Sequence, residues 1–313
     1  MNVAGLFVGL ATLDLVYRVP EPPTADRKVQ AAGQELAAGG PAANAAVTFA
    51  ALRAPTGAPA GAVVLVTALG RHPLAAVVAG ELASRQVTVR DATPARVEPP
   101  AVSSAWVVAG SGERSVVSVN ADGVAAEPPA QLAGLAAAAP VLLVDGHHLA
   151  LAVAAGSAAR AAGRPVLLDA GSWKPGLGAL LPLVDLAACA ADFRVPGADS
   201  ADASATALLD HGVPAVAVTA GPGAIRWWRR APTPSAGEVP VPAVDAVDTL
   251  GAGDAFHGAL AWAYATAPRH APDLPAALAF AAQVAAVRCE TAGPRRWLGD
   301  PRLAGLAREW LRG

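Results

Sequence analysis

With 313 residues the chain can form one large α/β domain or two modest ones, and its formal net charge of -2 provides no global basic field to draw it to nucleic acid or an anionic membrane. Two cysteines, Cys189 and Cys289, are too few for a disulfide framework or a cysteine metal cage, which fits a reducing, cytoplasmic compartment. The mean hydropathy of +0.41 rests largely on alanine, and Pro, Gly or a charge interrupts each candidate span before about 18 apolar residues accumulate, so no transmembrane helix is expected.

The opening "MNVAGLFVGLATLDL" has no basic leader and reads as a first buried strand rather than a signal peptide. Further runs rich in β-branched residues follow at "AVVLVTALG", "PVLLVDG", "RPVLLDAG", "LVDLAACA" and "PAVAVTAG", separated by alanine-rich stretches of helical character. Continuous apolar strands alternating with helices predict a parallel sheet covered on both faces. Two segments, residues 14–38 and 95–120, instead alternate apolar and polar residues between Pro and Gly, and "AGSGER" has the composition of a hairpin turn. They are expected to form a small β lid over the carboxyl ends of the parallel strands, where open α/β sheets bind ligands. No internal repeat is evident, and residues 1–313 are read as a single domain. "EVPVPAVDAVD" is read as an edge strand and loop.

That loop leads into "DTLGAGDAFHGALAWA", Asp248 to Ala263. Helical spacing predicts a helix starting near Ala252. A helix N-terminus offers free backbone N–H groups and partial positive charge, and small residues in front of it let those amides approach a ligand. Gly251, Ala252 and Gly253 therefore read as an anion hole suited to a phosphoryl group in transit. Asp254, in the first turn beside that hole, can accept a proton from an attacking hydroxyl. On the bland reading it is only an N-terminal cap. The chain has just two lysines, Lys28 and Lys174, and no G-x-x-x-x-G-K-[ST], which excludes a P-loop. A dinucleotide-binding oxidoreductase fails on placement, because "GLATLD" lacks G-x-G-x-x-G after the first strand.

"VDTLGAGDAFHGAL" resembles the C-terminal signature of the ribokinase-like (PfkB-type) sugar kinases, D-T-x-G-A-G-D-x-F. "GGPAANAA" (Gly39 to Ala46) is similar to that family's N-terminal signature, and "GLATLDLV" to its first strand, in which Asp14 follows Gly9 by five positions. The resemblance implies a three-layer α/β/α fold with a β lid, phosphorylation of a sugar by ATP with Mg2+, and pairing as homodimers through the lid. It makes Asp254 the catalytic base and Gly251, Ala252 and Gly253 the anion hole. Asp14, Gly40 and Asn44 fall on positions that hold sugar hydroxyls; otherwise Asp14 would be a turn residue and Asn44 a helix cap.

On the nucleotide side, "VTAGPGA" resembles the family's T-x-G-x-x-G phosphate loop, with Thr219 and Gly221 in place and Gly223 one position early; Thr249, Gly251 and Gly253 complete that side. "ALAFAAQVAAVRCETAG" resembles the late helix on which the family packs adenine, and Asp248 lies in a loop where some members hold a monovalent cation. The family's Asn-x-x-Glu element, tied to magnesium, is replaced here by "CAADFRVPGAD". Asp192 stands near the asparagine position, and Arg194 or Val195 occupies that of the glutamate.

"AFAAQVAAVRC" and "VLLVDGHH" look most like the ketohexokinase and sulfofructose kinase branch, which phosphorylates a primary hydroxyl of a ketose or its 6-sulfonated relative. His147 and His148 are then substrate contacts or plain strand-end polar residues. Asn120 on the lid is a further contact, and Arg114 is either the cation for a sulfonate or phosphate or a residue on a solvated hairpin face. The alternatives within these motifs are a nucleoside kinase of the same superfamily and a non-catalytic sugar or nucleotide sensor.

Overall fold

In the computed structural model, which describes residues 2–110, 113–230, 233–268 and 272–313, the six apolar runs become six adjacent parallel strands. They are β1 (Val3–Val8), β4 (Ala62–Thr67), β8 (Leu142–Val144), β9 (Val166–Ala170), β10 (Leu186–Ala190) and β11 (Ala215–Ala220). A seventh parallel strand, β5 (Val87–Asp91), pairs with β4, and β12 (Gly223–Arg229) and β13 (Ser235–Val239) close the other edge antiparallel. The order is β13-β12-β11-β10-β9-β8-β1-β4-β5. All six residues of β1 are buried, as expected of a central strand covered on both sides.

One face of the sheet carries α1 (Pro41–Arg53), α2 (Pro73–Ser84), α6 (Ala252–Thr266), α7 (Leu274–Cys289) and α8 (Pro301–Trp310). The other carries α3 (Leu132–Ala138), α4 (Leu149–Ala161) and α5 (Ala201–Asp210). This is the expected three-layer α/β/α arrangement. Among the described residues no helix is long and apolar enough to cross a membrane.

The remaining strands, β2 (Thr12–Val19), β3 (Gly33–Gly39), β6 (Val102–Val108) and β7 (Arg114–Ser118), form a separate sheet in the order β3-β2-β6-β7. Strands β6 and β7 pair antiparallel; Ser111 and Gly112, at the expected hairpin tip, lie outside the described residues. Register sets what this lid presents, because residues opposite one another share a face. Asp14, Ser103 and Ser118 form one row, Val16, Ala105 and Val116 the next, and Arg18, Val107 and Arg114 the third. Leu250 packs beneath Val16, Ala105 and Val107. The opposite face carries Leu36, Leu15, Ser104 and Val117 in one row, with Leu36 58% and Val117 61% exposed.

Candidate active site

Two helix N-termini converge beneath the lid. Helix α1 begins at Gly40, whose φ of 93° lies in the left-handed region, and an added Cβ there would come 2.4 Å from the Leu10 carbonyl oxygen. Only glycine suits the turn. Helix α6 begins after Gly251, also left-handed at φ 77°. The two helices approach closely because α6 carries Gly258 against α1, where a Cβ would lie 2.3 Å from the Ala45 carbonyl oxygen. That contact brings Asn44 to Asp254: the Asn44 amide Nδ2 donates to Asp254 Oδ2 at 2.7 Å.

Asp254 is half-buried in the first turn of α6. Burial and the nearby charge of Asp169 push its carboxyl up to about 6, against the opposing pull of the Asn44 hydrogen bond. A carboxyl tuned toward neutrality is the kind of group that exchanges protons at working pH. The Ala252 amide is engaged by the Thr249 carbonyl at 3.2 Å. The first-turn amides of Gly253 and Asp254, which have no intrahelical acceptor, are then the donors offered to an anion, and Gly253 is exposed.

A cavity of about 160 Å³ opens between these helix ends and the lid. It is lined by Asp14, Gly40, Asn44, Asn120, Gly251 and Asp254, six of the positions singled out in the sequence. Thr12, Ser103 and Ser118 add hydroxyls. Asp14 accepts from the Thr12 hydroxyl at 2.6 Å, and burial raises its carboxyl above the usual carboxylate range. Asn120 is exposed, with a φ of 51°.

Residues 6–298 match the family description pfkB family carbohydrate kinase. The chain belongs to the pfkB carbohydrate kinases. Its fold superposes on an Agrobacterium tumefaciens protein proposed to be a ribokinase, with a TM-score of 0.81 and 27% identity over 100% of this chain and 99% of the other. Arabidopsis thaliana ribokinase, determined with ribose and ATP, gives 0.73 at 20% identity over 100% of both chains. Xylella fastidiosa fructokinase with bound ATP gives 0.68 at 21% identity over 98% of each. The likeness to a ketohexokinase or sulfofructose kinase branch finds no counterpart among these ribokinases and this fructokinase.

Three of the positions expected at the substrate of this pfkB kinase lie elsewhere. His148 is buried as the residue before α4, and the His147 amide donates to Asp145 Oδ1 at 2.9 Å. Burial lowers the pKa of both imidazoles. Neither is among the residues that line the cavity; both sit in the turn from β8 to α4. Arg114 stands in the third lid row, two rows from Asp14, Ser103 and Ser118, and its guanidinium donates to the Thr249 hydroxyl. It links the lid to the loop before α6. On the nucleotide side, Thr219, Gly221 and Gly223 form the tight connection from β11 to β12, and the Thr219 hydroxyl donates to the Cys189 carbonyl at 3.3 Å.

Four residues outside the sequence predictions organise the site. Asp145, buried at the end of β8, receives the Leu10 amide at 2.8 Å and the Ala42 amide at 3.2 Å, tying β1 to α1. Asp169 lies 3.3 Å from His257 Nδ1, and burial raises its carboxyl. Arg295 donates to Asn44 Oδ1 at 3.0 Å, to Glu81 Oε1 at 3.1 Å and to the Ala38 carbonyl. By occupying Oδ1 it fixes which end of the Asn44 amide faces Asp254. Arg288 is fully buried beneath the loop before α6. "TAGPRRW" and the end of "QVAAVRC" carry the two arginines in plain view, but nothing in their spacing announces partners 40 to 250 residues away.

The magnesium-associated element is absent in geometry as well. Asp192 is exposed, Phe193 and Val195 are buried, and Arg194 donates to the Ala191 and Phe193 carbonyls. Among the described residues no group of three His, Cys, Asp or Glu side chains could hold a metal ion.

Proposed function

We propose that this carbohydrate kinase transfers the γ-phosphoryl group of ATP to a primary hydroxyl of a ketose or related small sugar, with Asp254 as the base. The observation that carries the reading is the cavity that brings the lid row Asp14, Ser103 and Ser118 together with Asn44 and with Asp254 at the α6 N-terminus. Its size suits one small acceptor, being below the roughly 300–1,000 Å³ of drug-sized ligand pockets. Carboxylate, amide and hydroxyl groups each bind sugar hydroxyls and leave unpaired polar atoms when the wrong sugar enters.

In this reading Asn44 holds Asp254 Oδ2, so Oδ1 faces the acceptor hydroxyl and takes its proton as the oxygen attacks. The Gly253 and Asp254 amides, with the α6 dipole, stabilise the phosphoryl group in flight. Thr219, Gly221, Gly223 and Thr249 border the donor phosphates, and the adenine packs toward α7. Magnesium supplies charge neutralisation on the donor and would be held mainly by the nucleotide's own phosphates. The cavity's arginines, Arg288 and Arg295, are both engaged by protein oxygens, which favours a neutral sugar over a sulfonated or phosphorylated one. The outward lid row, with Leu36 and Val117, supports pairing of two copies through the lid, since an exposed apolar face of this kind favours a partner.

The test is ADP release from Mg-ATP across fructose, tagatose, ribose, sulfofructose, phosphorylated hexoses and nucleosides. One neutral sugar should turn over strongly, and Asp254→Asn should lose at least about 100-fold of that rate while still binding both substrates. Full turnover by the variant would remove Asp254 as the base, and turnover of a nucleoside alone would move the acceptor to another class.

A further inference from the structure

The loop before α6 is held by the segment that follows α7. Val247 and Asp248 donate their amides to the Cys289 carbonyl at 2.8 and 3.1 Å, and the Gly293 amide donates to Asp248 Oδ2 at 2.9 Å. Between the two segments lies the Arg288 guanidinium, 1% exposed. One of its nitrogens donates to the Asp248 carbonyl at 3.3 Å and the Thr291 carbonyl at 2.9 Å, and the other lies 3.4 Å from Asp248 Oδ1.

Two backbone carbonyls and a carboxylate oxygen gathered around one buried guanidinium form an oxygen set of the kind that suits a hard cation. The resemblance to the family implied a monovalent cation near Asp248. The residues do not fit one, because the positive charge at that point is already supplied by the chain. The Asp248 carboxylate is also fully engaged, receiving Arg18 at 3.0 Å and the Leu250 amide at 3.0 Å. Burial alone would raise its carboxyl, yet Arg288, the Gly293 and Leu250 amides and Arg18 hold it below the usual carboxylate range.

We infer that Arg288 is a tethered replacement for a monovalent cation, and that it positions the anion hole without potassium or sodium. The inference deepens the kinase reading and rests on it for its catalytic part. The path is short: Arg288 fixes Asp248, Asp248 fixes the Leu250 amide, and the next residues are Gly251 and the first turn of α6. Arg288 is a positioning residue, since it acts on the phosphoryl group through that loop. An arginine suits the task because it keeps its charge when buried and its planar fork reaches several oxygens at once.

The experiment compares the full-length protein in choline, sodium and potassium chloride at equal ionic strength. A cation site filled to about a hundred times its Kd would raise the melting temperature by about 3–5 °C. The wild type should instead melt at the same temperature in all three salts, and its sugar-dependent turnover should vary by less than about twofold. Arg288→Ala in choline should lose roughly tenfold or more in kcat with acceptor and donor KM little changed, as expected when only a transition-state contact is displaced. Potassium or millimolar guanidinium should restore part of that loss, and Arg288→Lys should retain turnover in choline.

A wild type whose melting temperature or rate rises in potassium overturns the inference, as does an Arg288→Ala protein that keeps wild-type kcat in choline or gains nothing from either cation. If Arg288→Ala does not fold, the wild-type salt comparison decides alone. A wild type that melts identically in all three salts yet phosphorylates no sugar would sink the kinase reading and leave the cation replacement standing.

Discussion

Replacing Asp254 by asparagine is expected to stabilise the protein while it stops turnover. Burial and the neighbouring Asp169 raise the Asp254 carboxyl from 3.8 to about 6. The folded state therefore prefers the protonated form, and above about pH 6 it carries a carboxylate at a cost that the unfolded chain does not bear. A shift of about two units corresponds to at most about 3 kcal/mol. Asp254 faces the open cavity on one side, so solvent screening leaves an expected cost of about 1–2 kcal/mol. Below about pH 4 both states are protonated and the cost is absent; it grows between about pH 4 and 6 and is constant above. Asparagine bears no charge at any pH. The ligand-free variant should therefore melt about 1.5–3 °C above the wild type near pH 8 by scanning calorimetry, with most of that gap gone near pH 4.5. A variant that melts below the wild type near pH 8, or a gap just as wide in acid, would refute the reasoning.

The same carboxyl sets the acid limb of the rate profile. kcat/KM should fall below about pH 6, and Asp169→Asn, which removes a like charge, should move that limb to lower pH; a limb that stays in place would exclude the coupling. Gly258→Ala should force α6 from α1, costing about 1–3 kcal/mol of stability together with much of the turnover, and a variant with wild-type melting and rate would show that the close approach is dispensable. Arg295→Met frees the Asn44 amide and leaves Glu81 to Arg85 alone, so acceptor KM should rise and kcat fall by roughly tenfold with donor KM unchanged. An acceptor KM that does not move would mean that Asn44 is oriented by something else.

Strand identity was legible wherever the sheet is buried on both faces, because β1 and β8 leave no polar position to confuse the pattern. The α6 start was equally plain, since two glycines and a first-turn acid have few other uses. Asp14, Asn44 and Asp254 were recoverable through the resemblance, although they are scattered from β2 of the lid to α6. Ser103 and Ser118 were not, because they enter the cavity only through the register of β6 on β2 and β7 on β6, and a slip of one residue would turn both outward. Strand β12, with "AIRWWR", was missed because its large half-buried residues sit on an edge rather than in the parallel core. The displacement of His147, His148 and Arg114 has the same origin. Sequence places them near the right strand ends, but the turn into α4 and the third lid row decide where they reach.

Leu250 packs under the lid against Val16, Ala105 and Val107, and it immediately precedes the glycine that starts α6. On the proposed mechanism, an acceptor that drew the lid down would bear on the same short segment that leads into the first-turn amides of α6. Binding free energies joined through one segment are reciprocal. A sugar that tightened nucleotide binding would itself be tightened by nucleotide to the same factor, and the dissociation constants of such a heterotropic pair would belong to a thermodynamic square rather than to separate sites.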